Sequence, residues 1–329
     1  GVESIGKVFT LPFIPSPQRE GEQEREDKQS ILPSFTKGRD RKKEGRLRMK
    51  GRKRRQGAQM MRKYILFLIL ATTTLLNADV LKIVSLGPYV TENLCLLGLE
   101  HQIVGLTIHD REEIKKGKEI IGTLLEPSIE KIVSLKPDIV IGSKEGNSAE
   151  HIKKLNNLGI KTLTLEQLYT FDDICKNFTT LANVLNCKKK AENVLKEVDT
   201  RLKKVEIQVA QQKKQKRVFF ILGFKPLFTT GGSTYISEAI QYSGGINIFG
   251  DIKKKWFSCS IEEVVKRNPD VIIFLTMEEE QKLLWEKLKD TNAVKSKRIY
   301  SIEPTVIGSP TPLSFAETVE DMYKMLYPD

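Results

Sequence analysis

No CxxC pair and no cysteine–histidine spacing suited to a metal occurs in these 329 residues, which hold only four cysteines and three histidines. A structural zinc module is excluded on that ground. A G-x-S-x-G nucleophile elbow and a G-x-x-x-x-G-K-[ST] phosphate loop are also missing, which removes two common enzyme classes. The pair Gly231-Gly232 follows Thr230 but lacks the Gly-Lys-Ser that a phosphate loop requires. No uninterrupted apolar run reaches the length of about 18 residues that marks a confident membrane span. A basic surplus over the body of the chain is absent as well. The net charge is +12, but residues 1–60 contain 16 Lys and Arg against 8 Asp and Glu, which leaves 38 against 34 for the remainder. That near-neutral remainder gives no indication of nucleic-acid binding. The run Lys50–Arg55 (KGRKRR) reads as part of a solvated tail.

What the chain does have is an internal echo. Ser128–Ile141 reads SIEKIVSLKPDIVI and Ser260–Ile273 reads SIEEVVKRNPDVII, with seven identities and three Ile/Val exchanges. Each copy has the pattern of one helix-to-strand unit. A serine caps the helix, a proline stops it, and Asp leads into an apolar strand. In the second copy Glu263 is expected to complete a capping box with Ser260. Two halves built on one plan follow from this.

Met60 to Ala78 reads as a secretory signal peptide. Arg62 and Lys63 begin it, Tyr64–Leu76 is apolar apart from Thr72–Thr74, and Asn77-Ala78 closes it with a small residue. An uncleaved N-terminal anchor is the other reading. The first cysteine is Cys95, too far along to be a lipidated first residue, so a lipoprotein is not expected. Residues 1–59 are polar and charge-rich, without sustained periodicity, and are expected outside the fold. They read as an upstream translation product or as a cytoplasmic extension. Export permits disulfides among Cys95, Cys175, Cys187 and Cys259. Cys175 and Cys187 are separated by helical sequence, about 18 Å at 1.5 Å per residue, so free thiols are an equally good reading.

From residue 79 the pattern alternates strand and helix. Strands are expected at Val80–Leu86, Ile103–Thr107, Ile139–Ile141 and Lys161–Leu165, with helices at Thr91–Leu97 and Ser148–Leu158. Such alternation argues for a parallel sheet covered by helices. Phe171–Leu185 is then helical. Lys188 to about Gln212 is one long helix whose stripe is Ala191, Val194, Leu195, Val198, Leu202 and Val205. A second αβ set follows, with strands at Val218–Leu222, within the repeat and at Arg298–Ser301, and helices at Tyr235–Tyr242, Gln281–Lys289 and Ser314–Leu326. The expected fold is α/β: two lobes with central, mostly parallel sheets, residues 79–170 and 217–329, joined by a helical linker over 171–216. A ligand would sit between the lobes, at loops leaving the strand ends.

The series SLGPYVTENLCLLGL, IVGLTIHD, SIEKIVSLKPDIVI, GIKT, FTTGGSTYISEAIQYSGGINIF and WFSCSIEEVVKRNPDVII resembles the periplasmic binding proteins for iron complexes and vitamin B12. Those proteins are the class III substrate-binding subunits of type II ABC importers. The resemblance runs in order over nearly all of 79–329. It implies a rigid helical backbone, a shallow cleft with little motion, periplasmic localisation, and a permease and ATPase as partners. It implies no enzymatic step and no resident cofactor. Docking carboxylates of the family would fall on Glu262 and, in the N-lobe, on Glu150. The cleft candidates are Pro88, Tyr89, His109, Ser143, Asn147, Phe224, Lys225, Phe228 and Trp256. Trp256 would pack a flat chelate face, a core position being the other reading. His109 would coordinate iron or hydrogen-bond a ligand, or do neither, and Lys225 would neutralise an anion. Two cleft tryptophans of the enterobacterial B12 carrier appear here as Leu124 and Ser143, and its tyrosine as His109. The expectation is therefore an iron complex, a ferric siderophore or haem, with cobalamin as the alternative. A ligand sensor, or an enzyme on the same scaffold, are the readings from other classes.

Overall fold

The protein, a computed structural model, is described over residues 81–275 and 281–328. The signal segment and residues 1–59 lie outside the described residues. Among the described residues no helix is long and apolar enough to cross a membrane.

The N-lobe runs β1 (Ile83–Ser85), α1 (Pro88–Leu96), β2 (Ile103–Leu106), α2 (Glu112–Lys115), β3 (Glu119–Ile120), α3 (Ile129–Ser134), β4 (Ile139–Ser143), α4 (Ala149–Asn157) and β5 (Thr162–Leu165). Its sheet has the order β3-β2-β1-β4-β5 and every pairing is parallel. Then come α5 (Phe171–Val184) and the long α6 (Lys188–Ala210). The C-lobe contains β6 (Lys216–Phe224), β7 (Leu227–Thr230), α7 (Tyr235–Tyr242), β8 (Gly245–Asn247), β9 (Trp256–Ser258), α8 (Ile261–Arg267) and β10 (Val271–Phe274). It continues with α9 (Gln281–Lys287), α10 (Asn292–Lys295), β11 (Ile299–Ser301), α11 (Pro304–Gly308) and α12 (Pro312–Leu326). Its sheet order is β11-β10-β6-β7-β9, with β8 pairing the start of β6.

The expected parallel sheets are present, with one difference. In the C-lobe β7 returns antiparallel to β6 after a turn at Lys225-Pro226, and β9 pairs antiparallel to β7. Two-residue connections permit only antiparallel neighbours. The short β7 and β9 carry no extended alternation, which hides them in the sequence. Helix α1 also begins three residues earlier than expected, because Pro88 occupies its first turn, where a missing N–H costs nothing.

The repeat has a structural cause. Ser128 Oγ accepts the Lys131 N–H at 3.3 Å and Ser260 Oγ accepts the Glu263 N–H at 3.2 Å. Each copy then takes a left-handed residue immediately before its proline, Lys136 (φ 48°) and Asn268 (φ 43°), which stops the helix. The following aspartate closes on the backbone at the start of the lobe's first central strand. Lys82 N–H donates to Asp138 Oδ2 at 2.7 Å, while Asp138 N–H donates to the Lys82 carbonyl at 2.9 Å. Arg217 and Asp270 repeat this pair at 3.0 and 2.8 Å. The expected capping box at Ser260 does not form. Glu263 Oε1 instead accepts from Arg267 Nε at 2.6 Å, and Arg267 also grips Asp251. A guanidinium is a stronger donor to a carboxylate than a neutral backbone N–H.

The stripe of α6 is buried at Ala191, Val194, Val198, Leu202 and Val205. Its residues share one apolar core with β1 and β4 of the N-lobe, with α5, with β6 and β10 of the C-lobe, and with α12. Arg201 fastens α6 to α12, reaching Glu320 at 2.9 and 2.7 Å and Glu317 at 3.4 Å. All four cysteines are free and half-buried.

Burial alone would raise the pKa of Asp270, yet the Arg217 N–H, the Asn292 side chain and the nearby Lys214 and Lys216 outweigh it and hold the carboxyl below its ordinary range. A depressed folded-state pKa gives stability above the unfolded pKa that is lost as pH falls through the folded one. Asp270→Ala is expected to lower the unfolding free energy by roughly 1–3 kcal/mol at neutral pH. The gap to wild type should narrow below the carboxylate range; denaturant unfolding at several pH values checks both.

Candidate ligand cleft and docking surface

In each lobe the parallel strands end on the same side, and the loops there form the candidate site. Asn147 organises the N-lobe loops. Its Oδ1 accepts the Ser143 N–H at 2.8 Å, and its Nδ2 donates to the carbonyls of Leu86 at 3.0 Å and Leu124 at 2.9 Å. One side chain thus ties the ends of β1 and β4 to the β3–α3 loop. Both polar atoms of Asn147 are engaged within the protein, which makes it a brace for the floor. Ser143 is buried at the end of β4. Leu124 is half-buried and packs close to Gly87 and Gly146.

The β2–α2 loop is held by Asp110, whose Oδ2 accepts the Thr107 N–H at 2.8 Å and hydroxyl at 2.7 Å. That turn leaves Ile108 and His109 exposed. Pro88 is half-buried, while Tyr89 is only 7% exposed and belongs to the main core. The expected loop position of Tyr89 is corrected by the early start of α1, which turns the ring inward. Burial pushes its phenol pKa upward against the opposing effect of the Asn177 side chain.

In the C-lobe, Phe224 is half-buried and lies edge-on to Phe274 and Trp285, at 6.1 and 6.5 Å. Lys225 is exposed at the turn, and Phe228 is half-buried in β7. Trp256, the first residue of β9, is half-buried and packs edge-on to Tyr235 at 6.1 Å. The two readings of Trp256 therefore meet, since one part of the ring contacts the core and another part is open. The segment before it lies directly on Gly231-Gly232, where any Cβ would overlap the carbonyl oxygens of Lys254 and Gly250. Those glycines, read in the sequence as a failed phosphate loop, allow that backbone crossing.

Other residues, absent from the sequence reading, lie around these loops, and one pair of them joins the two sides. Lys255 Nζ lies 2.6 Å from the centroid of the Tyr169 ring. Tyr235 donates its hydroxyl to the Ile307 carbonyl at 2.8 Å. Glu145 accepts the Leu168 N–H at 3.2 Å, and crowding around its carboxylate raises its pKa even though the residue as a whole stays exposed. Glu145 also raises the pKa of both Tyr89 and Tyr235, after burial. Tyr169 lies in the loop after β5, and Lys255 precedes Trp256. Position beside a strand end was the available signal for both.

Comparison with known proteins places this geometry. Residues 83–306 match the family described as periplasmic binding protein. The chain belongs to that family. An uncharacterised ABC transporter substrate-binding lipoprotein of Bacillus subtilis, YvrC, is 31% identical over 259 residues, 75% of this chain and 80% of the relative. A crystal structure of a possible iron-binding periplasmic solute-binding protein from Staphylococcus epidermidis superposes with a TM-score of 0.66 at 26% identity, covering 75% of this chain and 98% of that one. The periplasmic vitamin B12 binding protein BtuF of Vibrio cholerae gives 0.61 at 28% identity, covering 74% and 96%. This family member is thus an exported substrate-binding component of ABC-importer type, a binding protein and not an enzyme.

Two exposed glutamates of this chain stand at equivalent helix positions in the two copies of the repeat. Glu130 and Glu262 each stand second in the helix after the capping serine, both exposed. Their own backbone N–H, and then Ser128 or Ser260, hold these carboxyls below the ordinary range. Glu150 also follows a serine cap, Ser148, but on the helix after β4. The internal repeat therefore pairs Glu262 with Glu130, whereas the family resemblance points to Glu150.

Asn147→Ala is expected to cost roughly 2–4 kcal/mol, since it leaves two carbonyls and one N–H without their partner. Asn147→Asp should be worse at neutral pH than in acid, because a carboxylate faces two carbonyls and its raised folded pKa withdraws stability as pH rises. Thermal unfolding at two pH values reads both variants.

Proposed function

We propose that the protein captures a metal chelate, an iron complex such as a ferric siderophore or haem, in the cleft between its lobes and hands it to the importer's permease. The observation that carries this reading is the reduced flat surface of the cleft. Of the aromatic set expected for a corrin carrier, Trp256 remains, while Leu124 packs beside Gly87 and Gly146 and Ser143 is buried. A corrin loses stacking surface at those two positions, whereas an anionic iron complex, haem included, also gains from a cation such as the exposed Lys225. The likeness to the possible iron-binding protein of Staphylococcus epidermidis supports the same ligand class. Cobalamin is the second reading, supported by the 28% identity to BtuF.

In this proposal Trp256 and Phe228 offer apolar surface, His109 and Lys225 supply polar contacts at the rim, and Pro88 shapes the entry to α1. Asn147, Ser143, Phe224 and the buried Tyr89 support the floor from behind. Glu130 and Glu262 dock to arginines of the permease, one from each lobe, as charge-assisted contacts that set orientation. Glu150 stands as the alternative N-lobe contact.

Titration of the exported protein with haemin, a ferric tris-catecholate, a neutral ferric trihydroxamate and cyanocobalamin tests the ligand class by tryptophan quenching. An iron complex is expected to bind with sub-micromolar affinity, with the signal lost in Trp256→Phe and kept in Trp285→Phe. Tight binding of cyanocobalamin alone would replace the iron reading with the second one. The double variant Glu130→Arg, Glu262→Arg is expected to abolish ligand uptake through the importer while leaving ligand affinity within about twofold, since rim charges act on partner association.

A further inference from the structure

Across the candidate cleft, the loop that leaves β5 and the segment that enters β9 meet through one pair, Tyr169 and Lys255. Both residues are half-buried, and the ammonium sits over the phenol face 2.6 Å from its centroid. Among the described residues Lys255 makes no ion pair. Trp256 follows immediately and packs edge-on to Tyr235, so a cation and three aromatic rings occupy one stretch of the cleft. Lys253 and Lys254, beside them, are exposed. This stretch is anchored from below, because Gly231 N–H donates to the Lys255 carbonyl at 2.9 Å and leaves the side chain to choose its partner.

An ammonium on an aromatic face is held by the ring quadrupole, which is a weaker bond than a charge-assisted contact with an anion. An arriving anion therefore draws Lys255 away from Tyr169. The exchange supplies a counter-charge, and it uncovers a phenol face next to Trp256. A neutral ligand offers the ammonium nothing better than the ring and leaves the pair closed. Resting on the metal-chelate reading above, we propose that Tyr169 and Lys255 form the charge-selecting pair of the cleft, which admits anionic chelates in preference to uncharged ones.

The test compares wild type, Lys255→Gln and Lys255→Arg on two anionic probes, haemin and a ferric tris-catecholate, and two uncharged ones, a ferric trihydroxamate and cyanocobalamin. Quenching gives each affinity, and the melting temperature of each variant checks the fold. Wild type is expected to prefer an anionic probe. Lys255→Gln should weaken that probe by about tenfold, the scale of one charge-assisted contact, and change an uncharged probe by less than twofold. Lys255→Arg should retain the preference, which a merely structural role for the lysine would not produce. Equal losses on charged and uncharged probes, or no loss on either, overturn the proposal. Binding of the ferric trihydroxamate alone overturns it and leaves the iron reading standing, whereas silence across all four probes overturns both.

Discussion

The contact on which both lobes depend is the reciprocal pair between an aspartate and the backbone at the start of a central strand. Asp138 with Lys82 aligns β4 beside β1, and Asp270 with Arg217 aligns β10 beside β6. Parallel strands have no hairpin to set their register, and a one-residue slip would turn every buried side chain to the wrong face. Here the carboxylate and the backbone together fix that register at the first residue of each pair. The preceding proline and left-handed residue end the helix at the point from which the aspartate can reach. The same short run of sequence recurs because the same alignment has to be made twice.

With the strands aligned at their starts, their far ends fall in one place, and the site follows. The N-lobe loops there are tied by Asn147, which reaches β1, β4 and the β3–α3 loop at once. On the C-lobe side Gly231-Gly232 allows the chain before Trp256 to lie against the end of β7. The first fixes the N-lobe floor, and the second decides where Lys255 and Trp256 stand.

Much of this was legible in the sequence, because the strongest signals came from residues that act locally. The stripe of α6 at three- and four-residue spacing reports a buried face, and α7 begins and ends where its pattern does. The repeat showed that two lobes share a plan. What escaped were features set by tertiary partners. Glu263 was expected to cap its own helix, but Arg267 bound it, and that arginine is placed by Asp251 and the Ile248 carbonyl. Tyr89 read as a loop residue and is core, since Pro88 starts the helix early. Strands β7 and β9 are three or four residues long, too short for periodicity to register. Within the site, Asn147 looked like a ligand contact because its residue type and loop fit one. That it also braces the loops through three hydrogen bonds is set by tertiary partners and has no local signal. Tyr169 and Lys255 are eighty-six positions apart by their numbering, and nothing local announces that they touch.

The same core that joins the lobes limits how the cleft can discriminate. Apolar side chains run without interruption from the N-lobe sheet through α5, α6 and α12 to the C-lobe sheet, and Arg201 adds a two-pronged tie between α6 and α12. A wide opening of the lobes would expose that surface to water at about 25 cal/mol for each Å², a cost that ligand binding would have to repay. Selectivity by large closure is therefore disfavoured. It has to come from side chains that change partners while the backbone stays in place, and at the mouth of this cleft the lysine over the tyrosine ring is held by the kind of contact that an anion can displace.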